Sequence, residues 1–230
     1  MEYLEYERIL SAKRMQRYKD AADGDTRKAM ALYRYNLRLS QEMFTIVSCF
    51  EVALRNAIDS LLVPSLGGNW LKDSVQDNGI FSNGRMNETR KIIENAYNRL
   101  NRQGIYSHSK LIAEMEFGVW KYMYSSLQYR ATGQCLLRAF PNKPRSSAAV
   151  QYNNAYIFNE LDKVNSLRNR IAHHEPICFR LHASEIDTSY IVNEYQKIQT
   201  LFSWMGIDSR SMLYGLDHVQ SVCSKINALK

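Results

Sequence analysis

The feature that most constrains this chain is the stretch from about residue 26 to 62. Met43, Val47, Phe50, Leu54, Ala57, Ile58 and Leu61 recur at helical spacing and form one broad apolar face. The stretch ends at Pro64-Ser65-Leu66-Gly67-Gly68, where proline and glycine disfavour continued helix. It reads as one long helix, or as two with a joint near Ser40. A face that wide must be covered by other elements. With only ten glycines and four prolines in 230 residues, the covering elements are long helices and not a turn-rich β fold. The expectation is one all-α domain, residues 1–230, a helical bundle with an irregular insert at about 64–86, in which Trp70 and Leu71 anchor the chain to the core.

The same periodicity places helices over residues 2–20, 87–103 and 185–204, with a last short helix after Asp208. A further helix follows Ser109 as its cap and carries Leu111, Ile112, Met115, Phe117, Val119, Trp120, Met123 and Leu127. Asp23-Gly24-Asp25 breaks the first helix from the second, and Asp25 or Thr26 caps the latter. His108 and His218 stand apart from any cluster and read as ordinary surface or boundary residues.

The net charge of +7 suits a nucleic-acid partner and a salt-dependent attraction, although many soluble proteins are equally basic. Cys49, Cys135, Cys178 and Cys223 are far apart with no Cys-x-x-Cys pair, so a zinc site is not expected and free thiols in a reducing cytosol fit best; no cofactor is expected. The acidic start, Met1-Glu2-Tyr3-Leu4-Glu5, does not read as a signal peptide. No run of apolar residues is long enough to span a bilayer. A cytoplasmic protein with no membrane contact is the expectation.

The chemistry is concentrated near the end of another helical stretch, residues 150–174. Ile157, Leu161, Val164 and Ile171 form its apolar stripe, and Arg168 falls near the middle of it. A guanidinium there is costly unless it is paired or lines a cavity. Pro176 disfavours helix at Glu175, so the helix ends near His174 with His173 and His174 in its last turn. Arg168 and His173 are five apart, about 7.5 Å of rise and about 140° of rotation on a regular helix. They do not share a face. Either the helix distorts at its end, or two copies of the segment meet and each supplies part of one site. Adjacent histidines diverge on a helix, and no third ligand lies at helical spacing, so His173, His174 and Glu175 do not make a metal site.

Arg168-Asn169-x-x-x-His173, within Leu167-Arg168-Asn169-Arg170-Ile171-Ala172-His173-His174-Glu175-Pro176-Ile177, resembles the Arg-x4–6-His motif of HEPN domains. More narrowly it resembles the Abi-like abortive infection proteins of bacteria, the AbiD/AbiF type. Glu51-Val52-Ala53-Leu54-Arg55-Asn56 is similar to that family's N-terminal Glu-x-x-x-Arg-Asn helix. Phe117-Gly118-Val119-Trp120 resembles its mid-chain Phe-Gly-x-Trp, and Leu137-Arg138-Ala139-Phe140-Pro141 fits the next segment of the family pattern. The matches run in family order over about residues 30–205.

The resemblance implies a HEPN-like helical bundle with additional helices. It implies a metal-independent endoribonuclease acting in phage defence, with an RNA substrate, a homodimer with a composite site, and an antitoxin or inhibitory partner. Arg168, His173 and Asn169 are the implied catalytic residues; Glu51, Arg55 and His174 are supporting candidates. The residue types suit the reaction: histidine moves protons near neutral pH, arginine offers a planar fork to a phosphate gaining charge, and asparagine orients through neutral hydrogen bonds. Two alternatives stand beside this reading: a HEPN module that binds RNA or protein without cleaving, and a structural Arg168 that closes an ion pair with Glu51. Glu51 and Arg55, four apart, also read as a simple surface pair.

Overall fold

A computed structural model describes residues 2–230. All of its regular elements are helical; the one β-type pairing among the described residues is an isolated bridge between Phe179 and Ile186. The chain opens on α1 (Tyr3–Leu10) and α2 (Ala12–Asp20), followed by the long α3 (Thr26–Leu66). Then come α4 (Trp70–Asp73), α5 (Asn87–Arg102), α6 (His108–Glu114), α7 (Phe117–Tyr122) and α8 (Ser126–Ala131). The motif helix is α9 (Asn154–Ala172), and α10 (Ser189–Trp204), α11 (Ser209–Met212) and α12 (Val219–Asn227) complete the order.

The broad apolar face before Pro64 belongs to one uninterrupted helix. α3 passes through Ser40 without a joint and continues two residues beyond Pro64. It stops at Gly67, whose φ of 88° suits glycine and whose N–H donates to the Val63 carbonyl. Asp25 caps its start, the carboxylate accepting from the Arg27 and Lys28 N–H groups at 2.9 and 3.1 Å.

Several expected elements are divided. Residues 2–20 form two helices because Ser11 takes a φ of 76° and its Oγ caps α2 through the Arg14 N–H. The helix expected after Ser109 is three short helices; Ser107, not Ser109, caps the first by accepting from the Lys110 N–H. The insert is shorter than its expected span of 64–86, since α3 occupies its beginning, α4 lies within it and a 3₁₀ turn (Gly84–Met86) closes it. Trp70 and Leu71 are buried as expected. Within the insert, Gly79 sits against the Ser74 carbonyl, where a Cβ would come within 2.3 Å of backbone oxygen. The last helix starts at Val219 because residues after α11 turn.

Chain contacts divide into two compact units. The first comprises Met1–Ser48, Ser166–Thr200 and Asp208–Lys230. Its core joins Met15 and Tyr18 of α2, Ala29, Leu32 and Tyr33 of α3, and Leu167, Ile177, Cys178 and Phe179 from the motif segment and the stretch after it. The Tyr18 ring lies 5.2 Å from that of Tyr33 and 5.1 Å from that of Phe179. In the same unit, His218 is not isolated: it lies against the buried Glu42, which also accepts its backbone N–H at 3.1 Å and pairs with Arg38 at 2.7 Å.

The second unit comprises Cys49–Asn165 and Leu201–Ile207. Phe50 is buried there among Phe117, 6.3 Å away, and Phe202, 5.2 Å away. Asn142, in the basic loop after Phe140, is tied down by donating its backbone N–H to the Trp204 carbonyl at 2.9 Å. His108, expected to be an ordinary boundary residue, donates from Nε2 to the Asp59 carboxylate at 2.7 Å; Trp70 Nε1 donates to the same oxygen, also at 2.7 Å. This triangle ties α4 and α6 to the C-terminal part of α3.

Candidate active site

The motif helix follows its apolar stripe to the end, with Ile157, Leu161, Val164, Leu167 and Ile171 all buried. Leu167 takes the core position that the spacing gave to Arg168. Arg168 is therefore displaced to the flank of the stripe, half-buried, where a long side chain can cover apolar surface with its stem and keep its head group wet. The cost of burying a guanidinium is avoided by this shift of one position.

The end of α9 has defined geometry. His173 still donates its backbone N–H to the Asn169 carbonyl at 2.9 Å, so helical hydrogen bonding stays regular up to it. His174 then takes a φ of 56°. Its N–H donates to the Ile171 carbonyl at 3.0 Å, and the Glu175 N–H donates to the Arg170 carbonyl at 2.9 Å. That pair of bonds around a left-handed residue is the Schellman arrangement, usually built on glycine. The helical residues end at Ala172, two short of the expected boundary. The distortion begins one residue after His173, so Arg168 and His173 keep the separation of a regular helix and face different directions.

Side chains in the motif divide into two sets. Arg170 and Glu175 are engaged: Arg170 Nε donates to Glu175 at 3.1 Å, its Nη2 donates to the Pro176 carbonyl at 3.0 Å, and its guanidinium lies 4.9 Å from the centre of the Tyr190 ring. The Arg168, Asn169 and His173 side chains make no hydrogen bond or ion pair among the described residues; Asn169 and His173 are exposed.

Beyond the turn, the chain is held from α3. Asn36, 3% exposed, accepts the N–H groups of Ile177 and Cys178 on one side-chain oxygen, at 2.8 and 3.2 Å. Burial pushes the Cys178 thiol up to about 12, so this cysteine is a packing residue.

The other face of the turn meets α2. Arg14 Nη1 donates to the His174 carbonyl at 2.8 Å. Arg17 donates to the Ala183 and Arg180 carbonyls and stacks 4.8 Å from the Phe179 ring centre. An open groove of about 350 Å³ lies between, lined by Lys13, Arg14, Arg17, His173, His174 and Glu175, with Ser11 and Pro176. Sequence alone does not connect α2 to the motif. Lys13, Arg14 and Arg17 form a visible basic cluster there, but nothing local says which distant segment it meets.

Glu51 and Arg55 belong to the second unit. Both are half-buried, one turn apart on α3, and Arg55 Nε is buried without a hydrogen-bond partner. Among the described residues, no three His, Cys, Asp or Glu side chains gather as a metal site, and no helix is long and apolar enough to cross a membrane.

No curated protein and no solved structure matches the chain. A family model described as "Abi-like protein" matches residues 2–178, which takes in the Glu51–Asn56 helix, Phe117–Trp120 and the whole of the Arg168–His173 motif. The match begins earlier than the resemblance drawn from the motifs, including α1 and α2, and ends at Cys178 instead of near residue 205. On a match over well more than half of its length, the chain belongs to the family of Abi-like proteins.

Proposed function

We propose that this protein is a metal-independent endoribonuclease that acts in abortive infection, with Arg168 and His173 carrying the reaction and Asn169 supporting them. The observation that carries the reading is the division within the motif. Arg170 and Glu175 are engaged in holding the turn, whereas Arg168, Asn169 and His173 have hydrogen-bonding groups available for a substrate. Arginine and histidine side chains left available at a rigid helix end suit a phosphodiester better than they suit a structural role.

The reaction needs no metal because the nucleophile comes with the RNA. A neutral imidazole takes the proton from a ribose 2′-hydroxyl, and the 2′-oxygen attacks the adjacent phosphorus. The bond from phosphorus to the 5′-oxygen breaks, and that oxygen receives a proton from an imidazolium. A cyclic phosphate and a 5′-hydroxyl result. The Arg168 guanidinium stabilises the charge gathering on the phosphoryl oxygens.

Regular helix geometry up to His173 favours a composite site over a local distortion, since one copy directs Arg168 and His173 to different sides. In a two-fold symmetric pair, each site takes Arg168 from one copy and His173 from the other. An inhibitory partner fits a protein of this kind, whose unrestrained cleavage would harm its own cell.

The test is incubation of wild type and His173→Ala with total bacterial RNA in EDTA, followed by end analysis. Cleavage by wild type alone, with cyclic phosphate ends, is the expected result. Intact RNA with both proteins folded would instead favour a binding module.

A further inference from the structure

The groove between α2 and the turn after α9 has an unusual charge inventory. Five of its lining side chains are basic or can become so: Lys13, Arg14, Arg17, His173 and His174. Its one carboxylate, Glu175, is already paired with Arg170 at 3.1 Å. Arg17 spends its Nε and Nη2 on backbone carbonyls, and Arg14 spends Nη1 on the His174 carbonyl. Lys13 is different: it is exposed, and it makes no hydrogen bond or ion pair among the described residues. The groove is open to solvent, and His173 itself is part of its lining.

We propose that this groove seats a backbone phosphate of the RNA flanking the cleaved linkage, with Lys13 as its ligand and Arg14 as a positioning residue that holds the His174 turn. The proposal rests on the ribonuclease reading above. A compact, mobile ammonium suits a phosphate held by charge and not by shape. Arg14 acts on the backbone: by tying the His174 carbonyl to α2 at 2.8 Å it fixes the direction in which His173 leaves the helix, and its side chain lines the same groove. The N-terminal helix pair is thereby part of the substrate site.

The experiment separates binding from cleavage. An unstructured, fluorescently labelled oligoribonucleotide is titrated in EDTA against His173→Ala and against His173→Ala carrying Lys13→Ala, Lys13→Glu or Lys13→Arg, at several salt concentrations. Lys13 is exposed and makes no hydrogen bond or ion pair among the described residues, so the melting temperatures are expected to stay together. The expected result is several-fold weaker binding with alanine, weaker still with glutamate, and recovery with arginine. The slope of log affinity against log salt falls by about 0.7 with alanine, the value for one lost phosphate contact on a single strand. In parallel, Arg14→Ala in the otherwise wild-type protein lowers kcat and shifts the pH profile of cleavage, with KM changing little; Arg14→Lys restores part of the rate. Unchanged affinity and slope in the Lys13 variants, while the parent binds and wild type cleaves, would overturn the proposal alone. No binding and no cleavage by wild type would overturn the ribonuclease reading, and this proposal with it.

Discussion

Replacing Asn36 tests how the motif's turn is held to the body of its unit. Its side-chain oxygen accepts two backbone N–H groups, from Ile177 and Cys178, at 2.8 and 3.2 Å, and both of those residues are fully buried. Leucine at this position fills a similar volume and accepts nothing. Each orphaned buried N–H costs about 1–3 kcal/mol; because the two share one acceptor and the segment can relax, about 2–4 kcal/mol in all is expected for Asn36→Leu. In a chain of this size that corresponds to a fall in melting temperature of roughly 5–15 °C. The assay is urea unfolding of wild type, Asn36→Leu and Asn36→Asp, with hydrogen exchange at the amides of residues 177 and 178. Aspartate keeps an acceptor oxygen in place and recovers part of the loss, while leucine speeds exchange at both amides. Wild-type stability and unchanged exchange in Asn36→Leu would refute the idea that Asn36 anchors the turn.

Other contacts lead to expectations of the same kind. His108→Ala removes one of two donors to Asp59 and costs about 1–3 kcal/mol; chemical denaturation measures it, and stability equal to wild type would make the His108–Asp59 contact irrelevant to folding. Gly79→Ala forces a Cβ against the Ser74 carbonyl and lowers the melting temperature, whereas a Cβ at Gly118 meets nothing within 4 Å, so alanine there does not lower it in this way. Thiol reagents modify the half-exposed Cys49 and Cys135 in the native protein and reach Cys178 only on unfolding. The Cys178 thiol, raised by burial from 9.0 to about 12, leaves stability untouched below pH 9; between pH 9 and 12 the unfolded chain alone releases the proton, so stability falls. Cys178→Ala loses less stability than wild type between pH 8 and pH 10, and parallel losses would contradict the assignment.

The long helix was legible because its stripe runs unbroken, and the motif helix because Ile157, Leu161, Val164 and Ile171 keep period. The breaks were less legible. At Ser11 and around Met115 to Phe117 apolar spacing continues through the turn, so periodicity alone merges the helices; Ser11 turns on a positive φ that no glycine signals. His108 and His218 looked isolated because their partners, Asp59 and Glu42, lie 49 and 176 positions away in the chain. Asn36 carries the same signal as Arg168, a polar residue on an apolar stripe. Sequence cannot distinguish them: Asn36 is satisfied by two backbone donors, while Arg168 moves to the flank and Leu167 fills its place. The motif did mark the end of α9 as the place where the candidate chemistry gathers. The α2 wall of that site went unmarked, because contacts between distant segments leave no local periodicity.

Complementation between two copies tests most directly whether a metal-free ribonuclease site takes Arg168 from one copy and His173 from another. Differently tagged Arg168→Ala and His173→Ala chains are co-expressed, purified as the mixed pair and assayed on RNA in EDTA beside wild type and each variant alone. Two-fold symmetry leaves the mixed pair one intact site of two, so about half of wild-type activity is expected, with cyclic phosphate ends, while each variant alone is inactive. An inactive mixed pair would contradict the composite site, and wild-type cleavage by His173→Ala alone would contradict the account at its base.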